Sequence, residues 1–304
     1  MTEFIPTEKG VTIRFPSSAN FLISSTDRAG FPNPTQSAAD FLINKPQALL
    51  NGFFTRIAPT EVVLDWCVDN ISNALWGNSF LGLDLSGAGG PPNFSINLAA
   101  GEYTVQQCLD SLVAVFNAAP PQAGGQPFVL SLTTGVTGLK QLHMDLSGTG
   151  AVNFVVRSVT PGGFPIRLAS QLSLAQNVAG NDFPVDCPLL LPTRWIDFTS
   201  SQLTYNQDLK DAATAQKVVD ILFRWYLAWD TPEPLDGYGY PIYQGYKRFV
   251  QRRPIAFPKQ IRWDNIQPIG QVAFQLYDDN NELLDLPATI GELEWQMTCL
   301  VSEV

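Results

Sequence analysis

The last strand-like segment of the chain constrains it more than any other. Leu293, Trp295, Met297, Cys299 and Val301 alternate with Glu294, Gln296, Thr298 and Ser302. A period of two is the pattern of a β-strand with one face turned into a core. The remaining sequence repeats the message in shorter pieces. Its 23 glycines and 23 prolines are spread as punctuation between β-branched and aromatic runs, which is how an all-β sandwich or barrel reads. Candidate strands lie at Glu61 to Val68, Phe128 to Leu132, Leu139 to Leu146, Val152 to Arg157, Thr193 to Phe198 and Val272 to Tyr277. Asp278, Asp279, Asn280 and Asn281 read as a hairpin turn, because Asp and Asn tolerate left-handed backbone and bond their own main chain. Strand 272–277, that turn and the last strand are expected to form the closing antiparallel pair of a sandwich.

One segment has clear helical spacing. Thr104 and Gln107 form a capping box, and Val105, Cys108, Leu109, Leu112, Val113 and Phe116 follow on one face before Pro120-Pro121. The spacing predicts an amphipathic helix over 104–117 packed on a sheet. A second helix is expected over Ala212 to Leu222, running into the aromatic block Phe223-Arg224-Trp225-Tyr226. At roughly 150 residues per domain, 304 residues suggest two units. The interruption at Gly180-Asn181-Asp182, with prolines on its far side, places the division there. The expectation is a β-rich domain over 1–182 carrying the helix, and a jelly-roll-like β-sandwich over 183–304.

The chemistry is sparse. His143 is the single histidine, set in the apolar stretch Leu142-His143-Met144, where a strand position is expected rather than a catalytic one. No nucleophile elbow, zinc-protease pair, phosphate loop or dinucleotide fingerprint is present, and no two carboxylates stand out as a glycosidase pair. Cys67, Cys108, Cys187 and Cys299 match no metal or redox spacing and read as buried free thiols. No enzyme activity, metal or cofactor is expected. No run of about 20 apolar residues suggests a transmembrane helix. Met1 to Gly10 lacks the apolar core of a secretory leader, so none is expected. With 18 basic against 28 acidic residues the net charge is −10, which disfavours nucleic-acid binding through phosphate neutralisation.

Charged residues make up only 15% of the chain, against about 25% in an average soluble protein. Such a surface is suited to burial against other subunits. Lys247, Arg248, Arg252, Arg253, Lys259 and Arg262 form a basic segment inside an otherwise acidic chain, a docking surface for an acidic partner. Just before it, Tyr238, Tyr240, Tyr243 and Tyr246 alternate with glycine-rich turns. Tyrosines in that setting give contact area at low entropic cost. Tyr238, Tyr240, Tyr243, Tyr246, Lys247, Arg248, Arg252 and Arg253 are therefore the candidate interface residues. A locally packed loop is the competing expectation for the tyrosines.

The order of elements in the first half is specific. Ser25-Thr26-Asp27-Arg28 precedes a proline-rich turn and Ala39-Asp40-Phe41-Leu42-Ile43. An apolar strand (61–68), an Asn-rich connector (Asn70, Asn73, Asn78), Phe94-Ser95-Ile96-Asn97-Leu98 and Gly101-Glu102-Tyr103-Thr104 with its helix follow. Gly163-Phe164-Pro165-Ile166 falls where such a module closes. In the second half Leu191 to Asp197, Phe257 to Trp263 and Phe274 to Asp279 resemble opening and closing strands. This order resembles the penton and minor capsid proteins of virophages, polinton-like viruses and related large double-stranded DNA viruses. The resemblance implies jelly-roll folds and a virion protein with no catalytic role, assembled in the interior of a host cell. Its expected partners are copies of itself, as a pentamer, and other major and minor capsid proteins. The tyrosine loop and the basic segment have no counterpart in that pattern. The alternative is a carbohydrate-binding sandwich in which Trp225, Trp229, Tyr238 and Tyr240 would stack on sugars.

Overall fold

The computed structural model describes residues 18–29, 35–44, 54–204, 220–228, 233–256, 258, 260–262, 270–284, 286 and 293–303. Eight strands build its framework: β1 (Ser18–Ser24), β2 (Asp40–Asn44), β3 (Arg56–Trp66), β4 (Trp195–Thr199), β5 (Ile221–Tyr226), β6 (Phe249–Pro254), β7 (Gln271–Tyr277) and β8 (Leu293–Ser302). They pair antiparallel into two sheets, ordered β1-β8-β3-β6 and β5-β4-β7-β2. A short strand, Ile261–Arg262, extends the first sheet along the start of β3. First strand beside last in one sheet, second beside seventh in the other, is the strand order of a jelly roll.

The alternation in β8 turns Leu293, Trp295, Met297, Cys299 and Val301 into the space between the sheets, and all five are buried. Trp295 is the centre of that core. Its ring lies 5.6 Å from Phe41 of β2, 5.5 Å from Phe274 of β7 and 5.2 Å from Phe198 of β4, and its indole N–H donates to the Ala38 carbonyl. One side chain thus packs on three strands of the opposite sheet. This corrects the expected closing pair: β7 and β8 belong to different sheets and meet face to face. Alternation reports which face of a strand is buried, and two strands facing one core from opposite sides carry the same pattern as two neighbours. The turn itself is as expected, with Asp278 Oδ1 accepting from the amides of Asn280 and Glu282, and Asn281 at φ 61°.

Residues 67–194 form an insertion between β3 and β4. One of its sheets pairs Phe80–Asp84 with Phe94–Asn97 and Phe154–Val156, with Ala179–Gly180 at the edge. The other is built on the hairpin Gln126–Thr134 and Lys140–Leu146, with Asp182–Pro184 and Gln122–Ala123 outermost. Phe154 and Phe183 join the two sheets with ring centroids 4.5 Å apart. The helix α1 (Val105–Ala118) has the predicted capping box, and Phe116 packs edge-on to Phe94 at 5.3 Å.

The pairing crosses the division expected at 182/183. Strands β1 to β3 sit in the same two sheets as β7 and β8, so the jelly roll is assembled from both ends of the chain around the insertion. Glycines and prolines at 180–188 mark a bend inside the insertion, where the chain passes from one of its sheets to the other. Of the second predicted helix, 212–219 lie outside the described residues, while Ile221 and Leu222 belong to β5.

A partly buried ion pair ties the ends together. Arg28, just after β1, makes two bonds to the Glu294 carboxylate of β8, at 2.9 and 2.7 Å. Ser25 also donates to that carboxylate, while its Oγ accepts from the Trp295 amide at 3.0 Å. Burial pushes the Glu294 carboxyl up, but the bonds from Arg28 and Ser25 outweigh it and hold the group below its ordinary value.

Trp295→Ala is expected to lower the unfolding free energy by about 3–5 kcal/mol, read from urea denaturation, because it empties a site bounded by three other rings. Val250→Ala, on the exposed face of β6, is expected to stay within about 0.5 kcal/mol.

Candidate functional site

The tyrosine loop and the basic segment lie where the insertion meets the jelly roll. The insertion leaves after Trp66 and returns at Leu190, and a buried amide holds the two passages together. The Asn70 side chain donates to the carbonyls of Tyr103 and Leu190, at 2.9 and 3.0 Å, and accepts from the Tyr103 amide at 2.8 Å. Asn78, also buried, accepts from Ser72 and donates to the Asn70 carbonyl, both at 2.8 Å, and to Gln171 at 3.1 Å. The Asn-rich connector is thus a buried polar joint. It fastens the outgoing chain, the start of α1 and the returning chain to one another.

The tyrosine loop closes over this joint. The Asp236 carboxylate accepts from the amide of Gln106 in the first turn of α1, at 2.9 Å, and from the amides of Tyr238 and Tyr240. An anion there complements the unpaired N–H groups of a helix start. Tyr238 donates to Asp110, and that bond, followed by burial, pushes its phenol up to about 12. The Lys140 ammonium sits 4.8 Å from the same ring. Tyr240 donates to the Val185 carbonyl at 2.9 Å and accepts from the Lys140 amide at 3.2 Å. The Tyr246 hydroxyl accepts from the Leu190 amide at 3.1 Å. Burial raises the phenol pKa of both Tyr240 and Tyr246. Tyr243, half-buried, packs edge-on to Tyr246 at 5.6 Å.

Six of the eight predicted interface residues therefore separate into two groups, with Tyr243 and Arg253 half-buried between them. Tyr240 and Tyr246 are buried within the single chain, and Tyr238 contacts α1, so these three join the two parts of one molecule. The loop is locally packed because the phenols of Tyr238, Tyr240 and Tyr246 each reach a backbone or carboxylate partner across the joint. Lys247, Arg248 and Arg252 are exposed. Arg248 pairs with Asp69 at 3.3 Å and Glu102 at 2.9 Å, and Arg252 bonds Glu61 at 2.6 Å. The Arg253 guanidinium stacks 4.1 Å from the Trp225 ring. Within the described part of the basic segment, charge is matched largely in cis. Lys259 and the Arg262 side chain lie outside the described residues.

The carbohydrate reading loses its platform here. Trp225 and Tyr240 are buried and cannot stack on a sugar, and Trp229 lies outside the described residues. His143 does stand on a strand, with both ring nitrogens directed at carboxylates. Burial raises the thiols of Cys108 and Cys299 to about 12, and burial together with Asp65 raises Cys67 to about 11, which makes all three poor nucleophiles. Cys187 departs from the expected buried set: it is exposed, with φ 46°.

Sequence reasoning missed Asn70, Asn78 and Asp236. They act through backbone partners, which leave no periodic trace. The usable signal was the concentration of asparagines immediately after an apolar strand.

No family model matches the chain, and no curated protein matches it. Among solved structures it is similar to the mavirus penton protein, with 11% identity and a TM-score of 0.45 over 96% of this chain and 100% of that one. It is also similar to a chain in the structure of the Sputnik virophage, with 11% identity and a TM-score of 0.42 over 94% of this chain and 98% of that one.

Asn70→Ala leaves the Tyr103 amide and the Leu190 carbonyl without their partner. It is expected to lower stability by about 1–3 kcal/mol for each buried group left unpaired. Limited proteolysis should then show earlier cutting around residues 67–72 and 188–194 than in the wild type.

Proposed function

We propose that this chain is a structural virion protein of an icosahedral double-stranded DNA virus, a penton at the vertex. What supports the reading is a jelly roll bearing an insertion whose two passages are held together by buried hydrogen bonds and whose return is bonded to the jelly roll through Tyr246. The result is a rigid two-part block rather than two beads on a linker. A shell subunit works through area and shape. A subunit whose parts keep a fixed relation can bury area on the order of 1,000 Å² per contact without first losing internal freedom. The order of elements in the sequence, which resembles the penton and minor capsid proteins of the virophage lineage, points the same way.

The partners in this reading are further copies of the chain, arranged as a pentamer, and the neighbouring capsid proteins. Its location is the virion, after assembly inside a host cell. The outer face of the sheet β1-β8-β3-β6 is the part of the jelly roll suited to contact. Leu22 of β1, Leu300 of β8 and Val250 of β6 are exposed there, 59%, 40% and 70% respectively. Exposed Arg252 flanks them with its charge matched by Glu61. Exposed apolar side chains at the sheet edges with matched charge between them make a mixed surface of the kind that subunit contacts use. Of the predicted interface residues, Lys247, Arg248 and Arg252 are exposed and Tyr243 is half-buried.

Negative-stain imaging of the purified full chain, with sedimentation velocity over a concentration series, should show five-membered rings. Val250→Glu combined with Leu22→Glu is expected to abolish the rings while leaving the circular dichroism spectrum and melting temperature near those of the wild type. A wild-type chain that stays monomeric at high concentration, or rings indifferent to both substitutions, would overturn the assignment of this face.

A further inference from the structure

His143 is the single histidine of the chain, and its surroundings are built from opposite charge. It lies on the strand Lys140–Leu146, directly across from Asp182 on the outermost strand Asp182–Pro184. Its Nδ1 is 2.7 Å from Asp182 Oδ1, and its Nε2 is 3.2 Å from Asp145 Oδ1 on its own strand. On its other side the neighbouring strand presents Ser131, which carries no charge. Among the described residues, the charged groups facing the ring are these two carboxylates.

An imidazole with one proton has one donor and one lone pair, so it can serve only one of two carboxylates; with two protons it serves both. We propose that His143 is a proton-operated latch, which fastens the strand Asp182–Pro184 to the insertion when doubly protonated and loosens it on losing a proton. The strand is a fitting target. It is three residues long, pairs on one side only, and leads into the segment that returns to β4. Its far end is held independently, by Tyr240 on the Val185 carbonyl and Tyr246 on the Leu190 amide. Loosening would therefore be confined to the stretch around Asp182, with the joint intact.

The direction follows from the charges. Burial disfavours the charged ring, but the hydrogen bond to Asp182 and the charges of Asp145 and Asp182 overcome it, so the pKa is raised above 6.5. A histidine with a raised value in the fold stabilises fully below its ordinary value, and that contribution is lost as pH rises through the higher one. No other side chain type has an ordinary pKa between about pH 5 and pH 8, so the latch has that window to itself.

The test is amide hydrogen exchange on the full chain between about pH 5.5 and about pH 8.5, each rate corrected for intrinsic exchange. His143→Gln is compared at every pH, and the His143 ring is titrated by NMR in the wild type. Wild-type protection at 182–184 should fall several-fold across the window, while H143Q stays flat. Asp182→Asn, which keeps the shape and removes one charge, should lower the ring's midpoint and bring acid-side protection down to the alkaline level. Parallel profiles for wild type and H143Q, or a ring titrating at or below its ordinary value, would sink the proposal. The readout is local and independent of assembly, so its failure would leave the virion reading standing.

Discussion

The buried amide of Asn70 is the interaction that holds the two passages of the insertion together, and the joint with the jelly roll is built on it. It is a short side chain whose three bonds go to backbone atoms from two other segments, Tyr103 at the start of α1 and Leu190 on the return. A buried amide satisfied in this way accepts one geometry only. Any parting of the outgoing chain, the start of α1 and the return would leave a buried donor or acceptor without a partner, which is far more costly than losing a surface contact. Tyr240 and Tyr246 repeat the device from the jelly-roll side, each reaching a backbone group of the same return segment. Large apolar contacts supply stability to either part; these few polar bonds define how the parts stand to each other.

That joint also explains how a long insertion is tolerated between β3 and β4. The entropic penalty of a connection grows slowly with its length when its ends are free, and here the ends are not free. Asn70 and Leu190 are bonded, so the insertion presents β3 and β4 with two chain ends already held together. The jelly roll then has to close only its own long-range pairings, of which β1 with β8 spans nearly the whole sequence. The Arg28–Glu294 pair fixes that closure at one end of the strands. Contacts of such separation form slowly, whereas the insertion is rich in local ones, the α1 capping box and the hairpin 126–146 among them.

Single elements were legible in the sequence wherever periodicity carried them. The alternation of β8, the capping box of Thr104 and Gln107, and the Asp-Asn turn after β7 each have a local cause and stand where expected. Sheet membership was not legible. Trp295 read as inward-facing and 272–277 as a strand, and a strand packed on Trp295 can be its neighbour in a sheet or its opponent across a core; Phe274 meets it from across. The division at 182/183 failed for a related reason. Gly180 and Pro184 report a bend in the chain, but a bend inside an insertion has the same composition as one between consecutive domains. The tyrosine loop shows the limit most clearly. Tyrosine among glycines is equally suited to an open interface and to an internal clamp, and only the positions of Val185, Leu190 and Asp110 decide between them.

The basic segment carries the same lesson into electrostatics. Six cations in an acidic chain read as a surface awaiting an acidic partner, yet Arg248 and Arg252 are matched by Asp69, Glu102 and Glu61, and Arg253 lies on Trp225. These partners span the seam between β6 and the β3 side of the joint. The segment therefore lowers repulsion within an acidic chain at the place where its carboxylates crowd together. With the charge of Arg252 matched by Glu61, the apolar side chain that β6 offers outward is Val250. Contacts built on such side chains are little affected by screening ions, whereas contacts between net charges weaken within a Debye length of about 8 Å at physiological salt. Through such side chains an acidic chain can make contacts that its net charge of −10 does not decide.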